Sequence, residues 1–249
     1  MKRRHTLTWA AALPALVRPA RGQAVAPTVE PWVMHILDAP PFGMLGASGR
    51  VAGVMADLGH ALAREAGREI DMRLVPIARV LKDVNTGEAG LTILLPVQGL
   101  DPGVHALATL ARLDVELLPR KGLAISDRRG VRGMRIASLG RGAGMDMMAQ
   151  LEGAVHQRVN SLPAMVGMLH AGRVDAVVSV KESLRYTMEQ GGLRPSDFGT
   201  PLVLGRLDLT LFATPSMPLA ERQRLAMAAN TLTRSGEFAR VLARYATAP

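Results

Sequence analysis

Short apolar stretches alternate with segments whose apolar residues recur at helical spacing, and this alternation constrains the fold more than any other feature. Val29 to Leu37 reads as a strand, followed by the stiff loop Asp38-Ala39-Pro40-Pro41-Phe42-Gly43. Val54, Leu58, Ala61, Leu62 and Ala66 then mark one face of a helix that Gly67 closes. Met72 to Val75 reads as a short strand, Ala78 to Asn85 as a short helix ended by Gly87, and Leu91 to Leu95 as a buried strand. Strand, helix, strand, helix, strand is how an α/β sheet with parallel neighbours is written in sequence.

A second series follows. Gly133 to Leu139 reads as a strand, and Gly140-Arg141-Gly142-Ala143-Gly144 opens a helix over about Met145 to Leu151. Leu162 to His170 has the pattern of a helix and Val174 to Val180 that of an apolar strand. Two long extended segments, Leu107–Leu118 and Leu202–Phe212, flank this second unit, and two helices, Leu219–Arg234 and Glu237–Tyr245, finish the chain. Two α/β units joined by two extended segments predict two lobes with a double hinge. No internal repeat, low-complexity tract or flexible linker is visible.

Charge has to be located before it is read. The 249 residues hold 30 Lys and Arg against 21 Asp and Glu, a formal net charge of +9. Residues 1–24 hold five of the basic groups and no acid: Lys2, Arg3, Arg4, Arg18 and Arg21. A basic start, an apolar stretch from Leu7 to Val17 and the small residues around Gly22 have the layout of a secretory signal. The Arg3-Arg4 pair is compatible with a twin-arginine route, although Thr6 stands where a bulky apolar residue is usual. Removing residues 1–24 leaves 25 basic and 21 acidic groups, a net of +4. The expected product is exported, periplasmic and soluble. The absence of Cys excludes a disulfide scaffold, a Cys-ligated metal site, a thiol nucleophile and a lipid-modified N-terminal Cys.

Particular motifs in this order resemble a known family. They are Pro40-Pro41-Phe42, Gly49, Gly53-Val54-Met55-Ala56-Asp57-Leu58, Asn85-Thr86-Gly87-Glu88, Ala171-Gly172-Arg173-Val174-Asp175-Ala176-Val177 and Phe238-Ala239-Arg240-Val241-Leu242-Ala243-Arg244-Tyr245. Across residues 29–246 the chain resembles solute-binding protein family 3, the periplasmic amino-acid-type receptors of ABC importers. The resemblance implies a type II periplasmic-binding-protein fold of two lobes, each a mostly parallel sheet flanked by helices. Lobe one would comprise residues 25–114 plus 206–249, and lobe two residues 115–205. It further implies closure over a small solute, a permease or sensor partner in the membrane, and a monomer without cofactor.

The chain departs from the family where the ligand is held. Receptors of this family usually carry Thr-x-x-Arg after the strand here ending at Leu95, and that Arg forks onto the ligand carboxylate. This chain instead runs Pro96-Val97-Gln98-Gly99-Leu100-Asp101. The family's ammonium-binding Asp falls at Val180, followed by Lys181. Both halves of an amino-acid clamp are absent or moved, so the expected ligand is a small polar solute that is anionic or bears a carboxylate.

The candidate binding residues are Asp38, Phe42, Arg79, Gly140, Arg141, Gly142, Gly144 and Lys181. The family places a ligand-contacting turn at the glycine loop, where backbone N–H groups at a helix start attract anions and Arg141 adds a forked donor. A plain tight turn with a solvated Arg is the alternative. A dinucleotide fingerprint would need Gly at position 145, which is Met. The family puts an aromatic or apolar ligand wall at Phe42, and a core plug is the alternative. Arg79 at a helix start and Lys181 at a strand end either face the cleft or are solvated, and Asp38 either accepts from a ligand or caps its loop.

Other functions find little support. His35, His60, His105, His156 and His170 show no metal-ligand spacing, and no Gly-x-Ser-x-Gly elbow is present. Neither a catalytic residue nor a metal is expected. Nucleic-acid binding lacks a concentrated basic surface with stacking aromatics. Arg120, Lys121, Arg128, Arg129, Arg132 and Arg135 form a basic cluster that is either a partner-facing patch or a solvated face. An enzyme on the same two-lobe scaffold would need a carboxylate or His beside Lys181 or Arg141. A ligand sensor would need the same closing receptor as an importer.

Overall fold

Two parallel strand triples of the same topology lie at the two ends of a long antiparallel ribbon. The computed structural model describes residues 30–140 and 145–246. The expected signal segment 1–24 and the candidate site residues Arg141, Gly142 and Gly144 lie outside them. The first triple is built from β1 (Trp32–Leu37), the β2–β3 hairpin (Met44–Leu45 and Val51–Ala52), α1 (Val54–Ala66), β4 (Ile70–Val75), α2 (Ile77–Thr86) and β5 (Leu91–Leu94). β6 (His105–Pro119) then leads to β7 (Arg135–Leu139), α3 (Met145–Ala149), β8 (Val155–Val159), α4 (Leu162–His170), β9 (Ala176–Val180) and α5 (Lys181–Gln190). The chain returns through β10 (Leu202–Ala213) to α6 (Leu219–Arg234) and α7 (Glu237–Ala246).

The eight-stranded sheet has the order β4-β1-β5-β10-β6-β9-β7-β8. β4, β1 and β5 are mutually parallel, with Trp32 opposite Ile70 and Met34 opposite Leu91. β8, β7 and β9 are parallel likewise, with Arg135 opposite Val155 and Ile136 opposite Ala176. Each triple therefore has the spatial order second, first, third. β6 and β10 pair antiparallel between them from Leu202–Leu117 to Ala213–His105.

The core explains why these residues take these places. Met34, Ile36, Leu58, Leu62, Leu91, Ile93, Leu113, Leu117, Leu209, Leu211, Leu225 and Phe238 belong to one buried cluster, which joins both triples to α1, α6 and α7. A second cluster of Leu118, Ala137, Met165, Val166, Leu169, Val177 and Leu184 lies under α4 and α5. α7 is also tied to α1 by polar contacts. Tyr245 donates its hydroxyl to Asp57 at 2.9 Å, and Arg244 pairs with Asp57 at 3.1 Å. Burial, followed by the Asp57 contact, pushes the Tyr245 pKa up to about 12.

Several boundaries differ from the sequence expectation. The strand expected from Gly133 begins at Arg135, because Gly133 takes a positive φ of 78° in the preceding turn. The strand expected from Val174 begins at Ala176. Lys181 is the first residue of a ten-residue helix that the sequence reading did not foresee. β8 and the β2–β3 hairpin were not foreseen either.

Candidate ligand-binding site

The pairing registers decide where the site lies. β5 runs against β10 so that Leu94, near its carboxyl end, sits opposite Thr210, while Leu91 sits opposite the outer residue Ala213. β9 runs against β6 so that Val180 sits opposite Val115, while Ala176 sits opposite Pro119. The carboxyl ends of both triples therefore point toward the middle of the same ribbon. Thr210 and Gly205, the partner of Val115, are five residues apart on β10, roughly 17 Å at about 3.4 Å per residue. In open α/β sheets of this order, ligands bind beyond the carboxyl ends, between the first and third strands of a triple. Here two such positions face each other across the ribbon.

The expected residues fall at these ends. Asp38 follows β1, exposed, with its backbone N–H donating to the Val75 carbonyl at 3.0 Å. Gly140 follows β7, its N–H donating to the Val159 carbonyl at 3.0 Å. Lys181 follows β9, half-buried. Arg79 lies in the first turn of α2, which starts just after the carboxyl end of β4.

Phe42 is placed differently. It is 5% exposed and belongs to the main core cluster, as the plug alternative required. Its loop serves α1, because the Pro41 and Phe42 carbonyls accept the first helical N–H groups, those of Val54 and Met55. Gly53 makes that docking possible. It has a φ of 109°, and a Cβ there would lie 2.5 Å from the Pro41 carbonyl oxygen.

Arg79 and Lys181 each have acidic neighbours. Arg79 Nε donates to Asp83 at 2.5 Å, and its Nη2 lies 3.5 Å from Glu88. Asp83 is fully buried, and its Oδ2 lies 3.1 Å from Nδ1 of His35, which is 3% exposed. His35 Nε2 and Asp83 Oδ1 have no hydrogen-bond partner among the described residues. Burial lowers the His35 pKa against the pull of Asp83. Burial works against the Asp83 carboxylate too, but the Arg79 hydrogen bond and charge keep its pKa below the usual range.

Lys181 sits among carboxylates. Burial pushes the Glu116 carboxyl above its ordinary range, with Lys181 and Arg185 opposing the shift and Asp114 and Glu182 reinforcing it. Glu182 is raised by burial as well, and its Oε2 is enclosed without a hydrogen-bond partner among the described residues. On the same face of the ribbon, Arg206 pairs with Asp114 at 2.9 Å and Arg112 with Asp208 at 3.1 Å. One turn along α5 from Glu182, Tyr186 donates its hydroxyl to Met44 Sδ of the hairpin at 3.4 Å. Sequence reading missed Glu116 and Glu182. The one available signal was the polar alternation Arg112, Asp114, Glu116 within an otherwise apolar strand. Among the described residues no group of three or more His, Asp or Glu is arranged to hold a metal. Nor is any described helix long and apolar enough to cross a membrane.

Comparison with known proteins leaves the sequence isolated and the fold well populated. No family model and no curated protein matches the sequence. The glutamate-bound ligand-binding core of GluR0 superposes with a TM-score of 0.74 at 16% identity, covering 89% of this chain and all of that one. The second substrate-binding domain of a putative amino acid ABC transporter from Streptococcus pneumoniae gives 0.66 at 16% identity, over 88% of this chain and all of that one. A histidine kinase sensor domain similar to periplasmic binding proteins gives 0.67 at 15% identity, over 86% and 95%. The chain therefore has the two-lobe periplasmic-binding-protein fold of these ligand-binding domains, carried by a sequence far from any of them.

Proposed function

We propose that the chain is a divergent member of solute-binding protein family 3. In this reading it is an exported receptor that closes over a small polar solute, anionic or carboxylate-bearing, and presents it to a membrane importer or signalling protein. The observation that carries the reading is the convergence of two sets of strand carboxyl ends on the middle of one two-stranded ribbon. A ribbon of two strands twists more easily than a wide sheet, so the ends can approach and enclose a ligand. Lobe one takes residues 25–114 plus 206–249, and lobe two residues 115–205. Asp38, Arg79, Gly140, Arg141, Gly142, Gly144 and Lys181 are the proposed ligand contacts.

A panel of dicarboxylates, amino acids and inorganic anions tests this by thermal unfolding and calorimetry. A ligand at 100 times its dissociation constant adds about 2.7 kcal/mol of stability. A panel in which no compound raises the melting temperature overturns the proposal.

A second reading, an enzyme on the same scaffold, is favoured by one observation: Glu116 and Glu182, both with raised pKa, stand near Lys181. Turnover of a stabilising compound, followed by mass spectrometry and lost in Glu116→Gln, would establish that reading. Recovery of the compound unchanged would dismiss it.

A further inference from the structure

The sheet ends at β8, and no described residue pairs with its outer side. Val155, His156, Gln157 and Arg158 are all exposed. Val155 donates its N–H inward to Met134, and the Val159 carbonyl accepts inward from Gly140. In a parallel pair alternate residues bond to the same neighbour, so Gln157 also faces inward. The N–H and C=O of His156 and Arg158 then point away from the sheet. Such an edge is a template for another strand.

The surroundings of this edge are basic. Residues 115–205 hold 12 Lys and Arg against 8 Asp and Glu, whereas residues 25–114 and 206–249 together hold 13 of each. The whole positive balance left after residue 24 therefore lies in this half. Part of its basic cluster is tied into the fold. Arg120 and Arg135 pair with Asp175, and Arg128 donates to Gln150 and to the Leu204 carbonyl. Arg129, Arg132 and Arg158 form no ion pair with a described residue. The register places His156 and Arg158 on the same face of the sheet as Ile136. Ile136 belongs to the same core cluster as Val131 of the 3-10 turn Arg128–Val131. The Arg132 stem lies against Gly153, two residues before β8, and the one acid beside the strand in sequence is the exposed Glu152.

We propose that β8 is a docking edge for an extended acidic polypeptide segment of a partner, which adds to the sheet as its ninth strand. Backbone bonds to His156 and Arg158 provide the attachment, and Arg158 and Arg132 select carboxylate side chains. A second copy of the chain fits the edge poorly. Antiparallel pairing of β8 with itself puts each Arg158 beside the other copy's His156, with no acid between them.

The test uses a capped heptapeptide that alternates Val and Glu, the same peptide with Lys for Glu, and the Glu peptide N-methylated at alternate backbone nitrogens. The Glu peptide is expected to bind saturably, to weaken with added salt, and to slow hydrogen exchange at the His156 and Arg158 amides. The Lys peptide and the N-methylated peptide are each expected to bind at least about tenfold more weakly, a difference of roughly 1.4 kcal/mol. Arg158→Glu, on an exposed side chain, is expected to fold normally and to lose the Glu peptide. The proposal is overturned by equal binding of the Glu and Lys peptides, by indifference to N-methylation, or by unchanged affinity in Arg158→Glu. Exchange protection elsewhere than β8, or a dimer that pairs through β8 without peptide, overturns it too.

Discussion

His35 is a titratable ring enclosed in the core beside a carboxylate, and the pH dependence of stability follows from that position. In the unfolded chain it takes a proton near its ordinary pKa of 6.5, while the folded chain, where burial lowers the value, resists protonation. The stabilising contribution is therefore complete above about pH 6.5 and is lost as the pH falls, because the unfolded state then binds a proton that the folded state refuses. His35→Gln is expected to cost about 1–3 kcal/mol at neutral pH by disturbing Asp83. It should also flatten the stability profile between about pH 7 and 5, read by urea unfolding across that range. An unchanged slope would remove His35 as its source. At this scale the sequence was only partly legible. Arg79 and Asp83 stand four apart on a helix and could be paired by spacing, but His35 reaches Asp83 only through the packing of α2 on β1. Phe42 looked the same in sequence as a ligand wall or a plug, and only burial separates the two.

Among the elements, the well-signalled ones were read closely. α4 spans Leu162–His170 as expected, because Ser161 caps it through the Ala164 N–H and Pro163 occupies its first turn. α6 spans Leu219–Arg234 as expected, following Pro218. β8 gave no signal, since both its faces are exposed and no alternation of apolar and polar residues marks it. α5 begins Lys-Glu-Ser and has only a narrow buried side, so no element was read there and Lys181 was placed at a strand end. The packing of α5 on β6 produces the enclosed Glu116 and Glu182, residues far apart in the chain. A carboxyl whose folded pKa is raised destabilises the fold as the pH rises past its ordinary value, here 4.5. Glu116→Gln is therefore expected to raise stability at pH 7 by about 1 kcal/mol, with the gain vanishing toward pH 4. A variant less stable than the parent at pH 7 would show that Glu116 is favourably paired.

For the molecule as a whole, the alternation of strands and helices and the two long extended segments were enough to read the architecture. The position of the site was not, since it depends on registers that place Leu94 near Thr210 and Val180 near Val115. If the halves close about β6 and β10, the panel compound that stabilises the protein should reduce its radius of gyration in solution scattering. Stabilisation without compaction would place the compound outside the facing strand ends.

The place of β10 between β5 and β6 also bears on how the chain reaches this structure. β5 and β6 end by Pro119, yet the strand that joins them begins at Leu202. The half encoded first is thus completed by the segment encoded after the other half, whose own parallel strands are closer together in sequence. Contacts of such long sequence separation slow folding. Until they form, β5 has one open edge, and the core built on Met34, Ile36 and Leu62 lacks its cover from α6 and α7. The element proposed as the hinge is therefore also expected to be the last stitch in folding.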